Sequence, residues 1–558
     1  MKAKEFFAHL RAALRQSAAR FSCVWPLSLA LFGVSVWNIL IDGSFLEAAP
    51  QLPERAMYAL CVGLAAAVFV RVLLERLAQT GCALAAWLAP LGAAGAALGA
   101  QIFWKDSSYV LMAMVGFALA CVCAAVWLLY DGENADTLFA HLVKSAVFTA
   151  AVALVFMLGL FLCLWAFGAL IYEPQNYYKA YVIVAALVWE VGAVNLFLAY
   201  VPRRGEALSI PKVYHALVGW AALPVYLLLL VILYGYCLKI FVTHTLPQGQ
   251  MNWFASFALA GWVFFYLGLR THASRLSRFV VRWGGAVLVP VVAVQCLCIG
   301  IRLAAYGLTP ARWASLACLA VGIFAVVWGT LGKKPGLLFL VMAAMALTVT
   351  CTPLNVLDVP QWNQSARLQS VLKADGMLEN GVITPKSADE VPEDDRVRIS
   401  SCYDYLRGSK ARQSAFVKTA AADDFEAVYG FTRQSGGRDD SFWDDSESDD
   451  TAYIYYQSPA NETGIDVQGY SRMYSSVETN SAENGALTLT LPDGGTRTID
   501  LSDYLVQLYA KNGDSTNNNV VMEYRPDADT LVLLRSVELG VRDSKIVSSR
   551  CEWTVLTK

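Results

Sequence analysis

The sequence is poor in charge and in histidine. Of its 558 residues, 16% are charged and five are histidine, whereas 57% are hydrophobic. The histidines are scattered over loops and the ends of apolar segments, so their spacing does not predict a zinc site. The composition is typical of a polytopic membrane protein, and we expect no nucleic-acid partner.

Common catalytic signatures are also absent. The sequence contains no HExxH, no GxSxG, no Walker P-loop, and no dinucleotide-binding GxGxxG followed by an acid. The thirteen cysteines include no CxxC, and the two residues of each CxC pair would point about 200° apart on a helix. We predict no catalytic residue, metal or cofactor. A membrane-embedded transferase stays a weaker alternative, because the outer loops are short and poor in carboxylates and histidines.

Eleven apolar segments of roughly twenty residues fill the first 352 positions. About 20 apolar residues cross the ~30 Å hydrocarbon core as a helix. We therefore predict an all-α polytopic bundle of about eleven transmembrane helices at 22–353, followed by an extracytoplasmic α+β domain at 354–558. The predicted spans lie near 22–41, 56–74, 82–102, 109–130, 145–171, 180–201, 216–238, 252–269, 284–304, 313–331 and 336–353.

The segment 1–21 carries five basic residues, and apolar residues recur at helical spacing between Phe6 and Leu14. This pattern predicts a short amphipathic helix on the cytoplasmic surface. A cleaved signal peptide is the alternative, but the following apolar run is too long and lacks a small-x-small cleavage site.

The basic residues predict the orientation. With the N-terminus in the cytoplasm, 17 basic residues of the N-terminal segment and the loops lie inside and 6 lie outside. An odd number of spans then places the C-terminal domain outside the cytoplasm. Because that compartment is oxidising, Cys402 and Cys551 are candidates for a disulfide bond. Two unpaired buried thiols are the alternative.

The chain changes character after the last apolar segment. Residues 1–354 carry 23 Lys and Arg against 12 Asp and Glu, whereas residues 355–558 carry 20 against 33. Polar helices are predicted near 361–374 and 395–406. Six segments enriched in β-branched or aromatic residues predict strands beyond 450, two of them joined by PDGG at 492–495. The acidic stretch 435–450 lacks the ligand pattern of a calcium loop and is interpreted as a solvated loop.

One ionisable residue, Glu190, lies near the middle of the sixth predicted span. A carboxylate there costs about 2.5–3.5 kcal/mol on insertion scales, so it should face the protein interior and be protonated or paired. Asn195 lies about 140° further around an α-helix and is not an obvious partner. We interpret Glu190 either as a proton or substrate relay or as one structural hydrogen bond between helices.

Several segments resemble a bacterial family of polytopic membrane proteins, the domain-of-unknown-function 4153 family. They are RFSCVWPLSLAL at 20–31, VYLLLLVILYGYCLKIFVTHTLPQG at 225–249, IRLAAYGLTPARW at 301–313, TPLNVLDVPQWNQSARLQSVL at 352–372, and RISSCYDYL at 398–406. The resemblance implies a bacterial cell-membrane protein and brings no established activity with it.

The same resemblance directs attention to the outer loop between the ninth and tenth spans. We hypothesise that its two arginines form a cationic rim that docks the acidic domain or binds an anionic envelope ligand; interfacial snorkelling is the alternative. Proline at the start of the following helix suits its first position. The motif residues are Arg302, Tyr306, Gly307, Thr309, Pro310 and Arg312.

The favoured function is an envelope binding or scaffold protein of the bacterial inner membrane, with a cytoplasmic N-terminus. Its expected partners are the lipid bilayer and an envelope protein, glycan or lipid headgroup. The alternative is a secondary transporter or flippase that uses Glu190, although no inverted repeats support it. Nothing in the sequence indicates the oligomeric state.

Overall fold

A computed structural model describes most of the chain. The described residues form two compact units, Met1–Arg433 and Gln434–Lys558. The described ranges are 3–40, 52–78, 81–104, 107–130, 136–171, 177–206, 208–243, 250–434, 452–458, 467–481, 486–490, 496–512, 520–542 and 545–558.

Within the described residues up to 351, the first unit contains twelve helices. All but the first of them lie at the predicted spans. They are α1 (Ala3–Arg20), α2 (Val24–Leu40), α3 (Leu52–Arg76), α4 (Ala83–Phe103), α5 (Ser107–Leu129), α6 (Leu138–Leu170), α7 (Tyr178–Ala199), α8 (Lys212–Thr243), α9 (Gln250–Gly268), α10 (Arg275–Tyr306), α11 (Pro310–Thr330) and α12 (Gly336–Cys351).

Eight of these helices, α3 to α8 with α10 and α11, are long and apolar enough to cross a membrane. Helices α2, α9 and α12 occupy the other three predicted spans. Helix α1 meets α2 at a bend of 101°, as expected of an amphipathic helix that lies across the direction of the first span. These helices indicate a multi-pass membrane protein, and the count of eleven spans stays a prediction.

Two of the helices contain π-helical turns. They lie at Leu187–Ala193 within α7 and at Leu217–Ala222 within α8. A π turn bonds each amide five residues back instead of four, which inserts one residue and rotates the following side chains. Nothing in the mostly apolar sequence of these helices predicts the two π turns.

Glycines set the close packing of α9 against α10 and α11. Trp262 of α9 is buried and lies directly over Gly284 and Gly285 of α10 and Gly329 of α11. A methyl group added at Gly284 or Gly329 would come within 3 Å of the indole ring. The tryptophan therefore fills a space that exists because two neighbouring helices, α10 and α11, lack side chains there.

A polar layer, residues 354–433, completes the first unit. It contains α13 (Asp358–Ala374), the short strands β1 (Leu378–Glu379) and β2 (Val382–Ile383), α14 (Glu393–Gly408), α15 (Ala415–Ala420) and α16 (Phe425–Tyr429). Leu368 and Leu372 of α13 pack with Ile399 and Leu406 of α14 in its core. Both predicted polar helices are confirmed, and the structural boundary falls after this layer, not before it.

The second unit is a small α+β fold. Its strands are β3 (Ala452–Gln457), β4 (Arg472–Ser481), β5 (Ala486–Thr490), β6 (Thr496–Asp500), β7 (Glu523–Asp527), β8 (Thr530–Arg542) and β9 (Lys545–Thr557), and α17 spans Ser502–Asn512. An antiparallel sheet runs in the order β3-β8-β9-β4, with β7 beside β8.

The predicted hairpin at 492–495 is confirmed by the pairing of β5 with β6, although its turn lies outside the described residues. The acidic stretch 435–450 also lies outside them. The core of this unit joins Leu505 and Leu508 of α17 to Val532, Val537 and Val555 of the sheet. Helix α17 therefore covers one face of the strands, as alternating apolar residues require.

Candidate functional site

The loop between α10 and α11 adopts a conformation that only its sequence permits. Helix α10 ends at Tyr306, and Gly307 follows with φ 75° and ψ −171°, a region that is essentially restricted to glycine. Thr309 then caps α11 by accepting a hydrogen bond from the Arg312 amide at 3.4 Å, with Pro310 at the first helical position. The motif therefore builds an extended peptide whose carbonyl groups are available to hydrogen-bond donors of a neighbouring element.

Helix α13 binds this peptide through main-chain hydrogen bonds. The Gln364 side chain donates to the carbonyls of Tyr306 at 2.9 Å and Leu308 at 3.1 Å. Arg367 donates to the Ala305 carbonyl at 2.7 Å, and the Leu308 amide donates to the Asn363 side chain at 2.8 Å. We call these contacts the docking junction. They seat the polar layer on the helical bundle.

Arg312 contacts its own loop, and docking of the acidic domain by the two loop arginines stays a prediction. Arg312 donates to the Gly307 carbonyl at 3.1 Å, and its guanidinium lies 5.6 Å from the centre of the Tyr306 ring. Arg312 thus stabilises the loop itself, while the amides of α13 hold the polar layer. Arg302 lies half-buried on the last turns of α10. Binding of an anionic ligand by the two arginines stays a prediction.

A second set of contacts joins α5 to the polar layer. The Tyr109 hydroxyl donates to the Asp358 carboxylate and accepts a hydrogen bond from the Arg412 amide at 3.0 Å. The Arg412 guanidinium lies 5.1 Å from the centre of the Tyr109 ring, and Gln361 donates to the Arg412 carbonyl at 2.7 Å. Sequence reasoning missed this set. The sequence feature that could have indicated it is the spacing of Gln361, Gln364 and Leu368, which places these three residues on one face of α13.

The two intramembrane candidates both face α2. Ser35 of α2 donates to the Glu190 carboxylate, whose oxygens lie 2.9 and 3.1 Å away. Asn195 is buried and donates to the Ser28 hydroxyl at 2.9 Å and to the Val191 carbonyl at 2.9 Å. The expected divergence of 140° assumed an α-helix, whereas the π turn between the two residues brings both towards one neighbour.

The two α2 serines are seven residues apart, which places them on one face of that helix. This spacing could have identified them as partners of Glu190 and Asn195, because polar residues on one stripe of an apolar helix predict an interhelical contact. Cys61 of α3 is an ionisable neighbour of Glu190. No salt bridge reaches Glu190 from the described part of the chain.

An ionic lock lies at the junction of α1 and α2. Arg20 donates to both oxygens of Glu75, at 2.9 and 2.8 Å, and also to the carbonyls of Val201 and Pro202. Arg71 adds a hydrogen bond to Glu75 at 3.2 Å. Arg20 therefore ties the bend after α1 to the ends of α3 and α7.

The polar layer carries an open cleft of about 470 Å³. Of the charged residues that line it, Arg407 lies 3.2 Å from Asp423, and Arg433 lies 3.1 Å from Asp404 beside the cleft. Metal coordination has little support within the described ranges, where no cluster of three or more His, Cys, Asp or Glu occurs. His215 and His272 stack with ring centres 5.1 Å apart, without a third ligand.

The disulfide between Cys402 and Cys551 stays a prediction; the two residues lie in different units, and both cysteines are in the thiol form in the structure. Cys402 is buried in the core of the polar layer, where its thiol donates to Gln364 at 3.5 Å, and Cys551 is buried in the sheet core of the second unit. Each side chain is therefore part of the core of its own unit. Burial raises the pKa of the Cys402 thiol to about 11.

We therefore expect neither thiol to react with maleimide at pH 7 in the native protein, even after reductant, because both are buried and Cys402 stays protonated. Unfolding in guanidinium without reductant should expose both to labelling, as measured by peptide mass spectrometry. A Cys402→Ala variant serves as the control for assigning the modified peptide. Labelling of unfolded protein that still needs reductant would establish the bridge instead.

One of three comparisons with known proteins found a match. The family model described as "Domain of unknown function (DUF4153)" matches residues 56–397. This range contains the resembling segments at 225–249, 301–313 and 352–372, and it begins after the segment at 20–31. No curated protein and no solved structure matches the chain. Because the match covers more than half of its length, the protein belongs to the DUF4153 family.

Proposed function

We propose that this protein is a platform in the bacterial inner membrane that presents an extracytoplasmic binding module. The module consists of the polar layer and the second unit, and its partner is an envelope protein, glycan or lipid headgroup. In this proposal the N-terminus and α1 lie in the cytoplasm, eleven helices cross the membrane, and the basic residues of the loops set this orientation.

The observation that carries the proposal is the docking junction. Gln364 and Arg367 donate three hydrogen bonds to the peptide at 305–308, Asn363 accepts a fourth from it, and the Tyr109 hydroxyl adds contacts to Asp358 and to the Arg412 amide. A flexible tether would need none of these contacts. A polar layer that must be held in a fixed position on the helical bundle needs them, because rigid seating lowers the entropy lost on binding a partner.

The alternative function is a secondary transporter or flippase that uses Glu190. It is favoured by the position of this carboxylate within a π turn, since π turns are frequent at functional sites of helices. The platform proposal treats Glu190 as a contact between α2 and α7. The two functions therefore place the essential residues in different parts of the chain.

Complementation of a deletion strain separates the two functions. For the platform, a chain ending at residue 433 should fail to restore growth under detergent and cell-wall stress, while Glu190→Gln should restore it fully. If the protein is a transporter, the chain ending at residue 433 should restore growth and Glu190→Gln should fail to restore it. Both variants must accumulate in membranes, as checked by immunoblot.

A fluorescent protein fused after Lys558 tests the proposed orientation, and bright fluorescence in the cytosol would contradict it.

A further inference from the structure

We propose that Ser35 and Glu190 form a proton-binding site that opens sideways to the lipid. The site comprises the Glu190 carboxyl group on the π turn of α7, the Ser35 hydroxyl of α2, and the adjacent surface of α3 near Cys61. Its ligand is a single proton, carried on the carboxyl oxygen that Ser35 does not serve.

Without that proton, one carboxyl oxygen of Glu190 has no hydrogen-bond donor among the described residues. Ser35 lies within 3.1 Å of both carboxyl oxygens, but a hydroxyl carries one hydrogen and can donate to one oxygen at a time. The other oxygen of an ionised Glu190 would lack a donor, and none of the ion pairs in the described ranges includes Glu190. A proton removes the charge that an apolar surrounding makes costly.

The site is partly open, unlike the neighbouring Asn195 contact. Asn195 and Ser35 are buried, whereas Glu190 is half-buried. The side chains next to the opening are apolar and exposed, with Leu187 and Trp189 each 41% exposed. Exposed apolar side chains on a membrane-spanning helix indicate a surface that contacts acyl chains, so the route to Glu190 leads through lipid.

Among the described residues, the groups that face Glu190 carry no charge. Helix α2 presents the Ser35 hydroxyl, and α3 presents the Cys61 thiol. Helix α6 packs on the other side of the π turn, where Ala153 and Met157 contact Val188 and Ala193. With neutral groups on all three helices, Glu190 is the group that gains or loses the proton.

This inference does not need the platform function, and it gives the transport alternative its ligand. Occupancy of the site is tested by covalent chemistry and transport by flux, so the failure of one is distinguishable from the failure of the other. A proton site without flux would leave the platform proposal unchanged.

Carbodiimide labelling in native membranes tests the site. The protonated carboxyl adds across one C=N bond of dicyclohexylcarbodiimide: its oxygen bonds to carbon and its proton moves to nitrogen. The resulting O-acylisourea rearranges to a stable N-acylurea, so the peptide gains the full reagent mass and nothing leaves. We expect this hydrophobic reagent to label Glu190, whereas a water-soluble carbodiimide does not.

Three controls define the result. Glu190→Gln should abolish the label on this peptide. Ser35→Ala should retain it, since the hydroxyl takes no part in the addition, and this variant reports on any local misfolding. Glu75, held as a carboxylate by Arg20, should stay unlabelled in every sample. Absence of label on Glu190 in the wild type would overturn the proton site, and labelling by the water-soluble reagent would overturn the opening to lipid.

Discussion

Arg20→Ala is expected to destabilise the helical bundle more than any other single substitution described above. The Arg20 side chain is 5% exposed and satisfies both oxygens of Glu75 together with the carbonyls of Val201 and Pro202. Removing one partner of a buried ion pair leaves an uncompensated charge and costs about 3–5 kcal/mol. The measurements are the unfolding temperature of the detergent-purified protein and its abundance in membranes.

Arg71→Ala is the matched control, because Arg71 contacts the same carboxylate through one hydrogen bond and is 22% exposed. An ion pair of this kind is worth about 0–1 kcal/mol, so this variant should unfold near the wild-type temperature. The double variant Arg20→Met with Glu75→Met should be more stable than Arg20→Met alone, since no buried charge remains unpaired. Equal unfolding temperatures for Arg20→Ala and Arg71→Ala would contradict the lock.

The helices of the bundle were predictable because each depends on a local property of the sequence. A run of about twenty apolar residues forms a helix in the membrane whatever its partners are, since backbone groups in lipid must bond within the segment. Helix α1 was predictable for an equally local reason, because the segment 1–21 is basic and amphipathic whereas the segment 22–41 is apolar. Six of the seven strands described beyond residue 450 followed from their β-branched and aromatic residues, whereas β4 (Arg472–Ser481) was not predicted.

The pairing of helices was not predictable from the same information. Arg20 and Glu75 are 55 residues apart, and Ser35 and Glu190 are 155 residues apart. Within apolar spans, lipid-facing and protein-facing positions have similar composition, so the sequence carries little periodicity that could orient one helix towards another. The π turn at 187–193 was invisible for the same reason, and it redirects Asn195.

The sequence indicated the segments that form the docking junction but not the kind of contact between them. The sequence identified the loop at 302–312 and the segment at 352–372, but net charge suggested an electrostatic contact. In the structure the Gln364 amide donates to two loop carbonyls at 2.9 and 3.1 Å, Asn363 accepts from the Leu308 amide at 2.8 Å, and the Arg367 guanidinium donates to the Ala305 carbonyl, so the partners are main-chain groups and not opposite charges. Hydrogen bonds to the main chain depend on backbone conformation, here on one glycine, and composition gives no measure of that.

Gly307→Ala is expected to release the polar layer from the bundle. The φ of 75° and ψ of −171° at this position cost a residue with a Cβ about 1–3 kcal/mol. The added methyl would also lie 2.5 Å from Nη1 of Arg367 and 2.8 Å from Nε2 of Gln364, the two side chains that hold the loop. Either the loop refolds or α13 moves away, and both break the docking junction.

Hydrogen exchange of the purified protein measures this release. Amides of 303–313 and 358–374 should exchange roughly 5- to 150-fold faster in Gly307→Ala, which corresponds to about 1–3 kcal/mol of local opening. The control is Gly300→Ala in α10, where an added methyl meets no atom within 4 Å, and its exchange should match the wild type. A faster rate confined to 303–313, with 358–374 still protected, would show that α13 is held without the loop and would refute the seating on which the platform function depends.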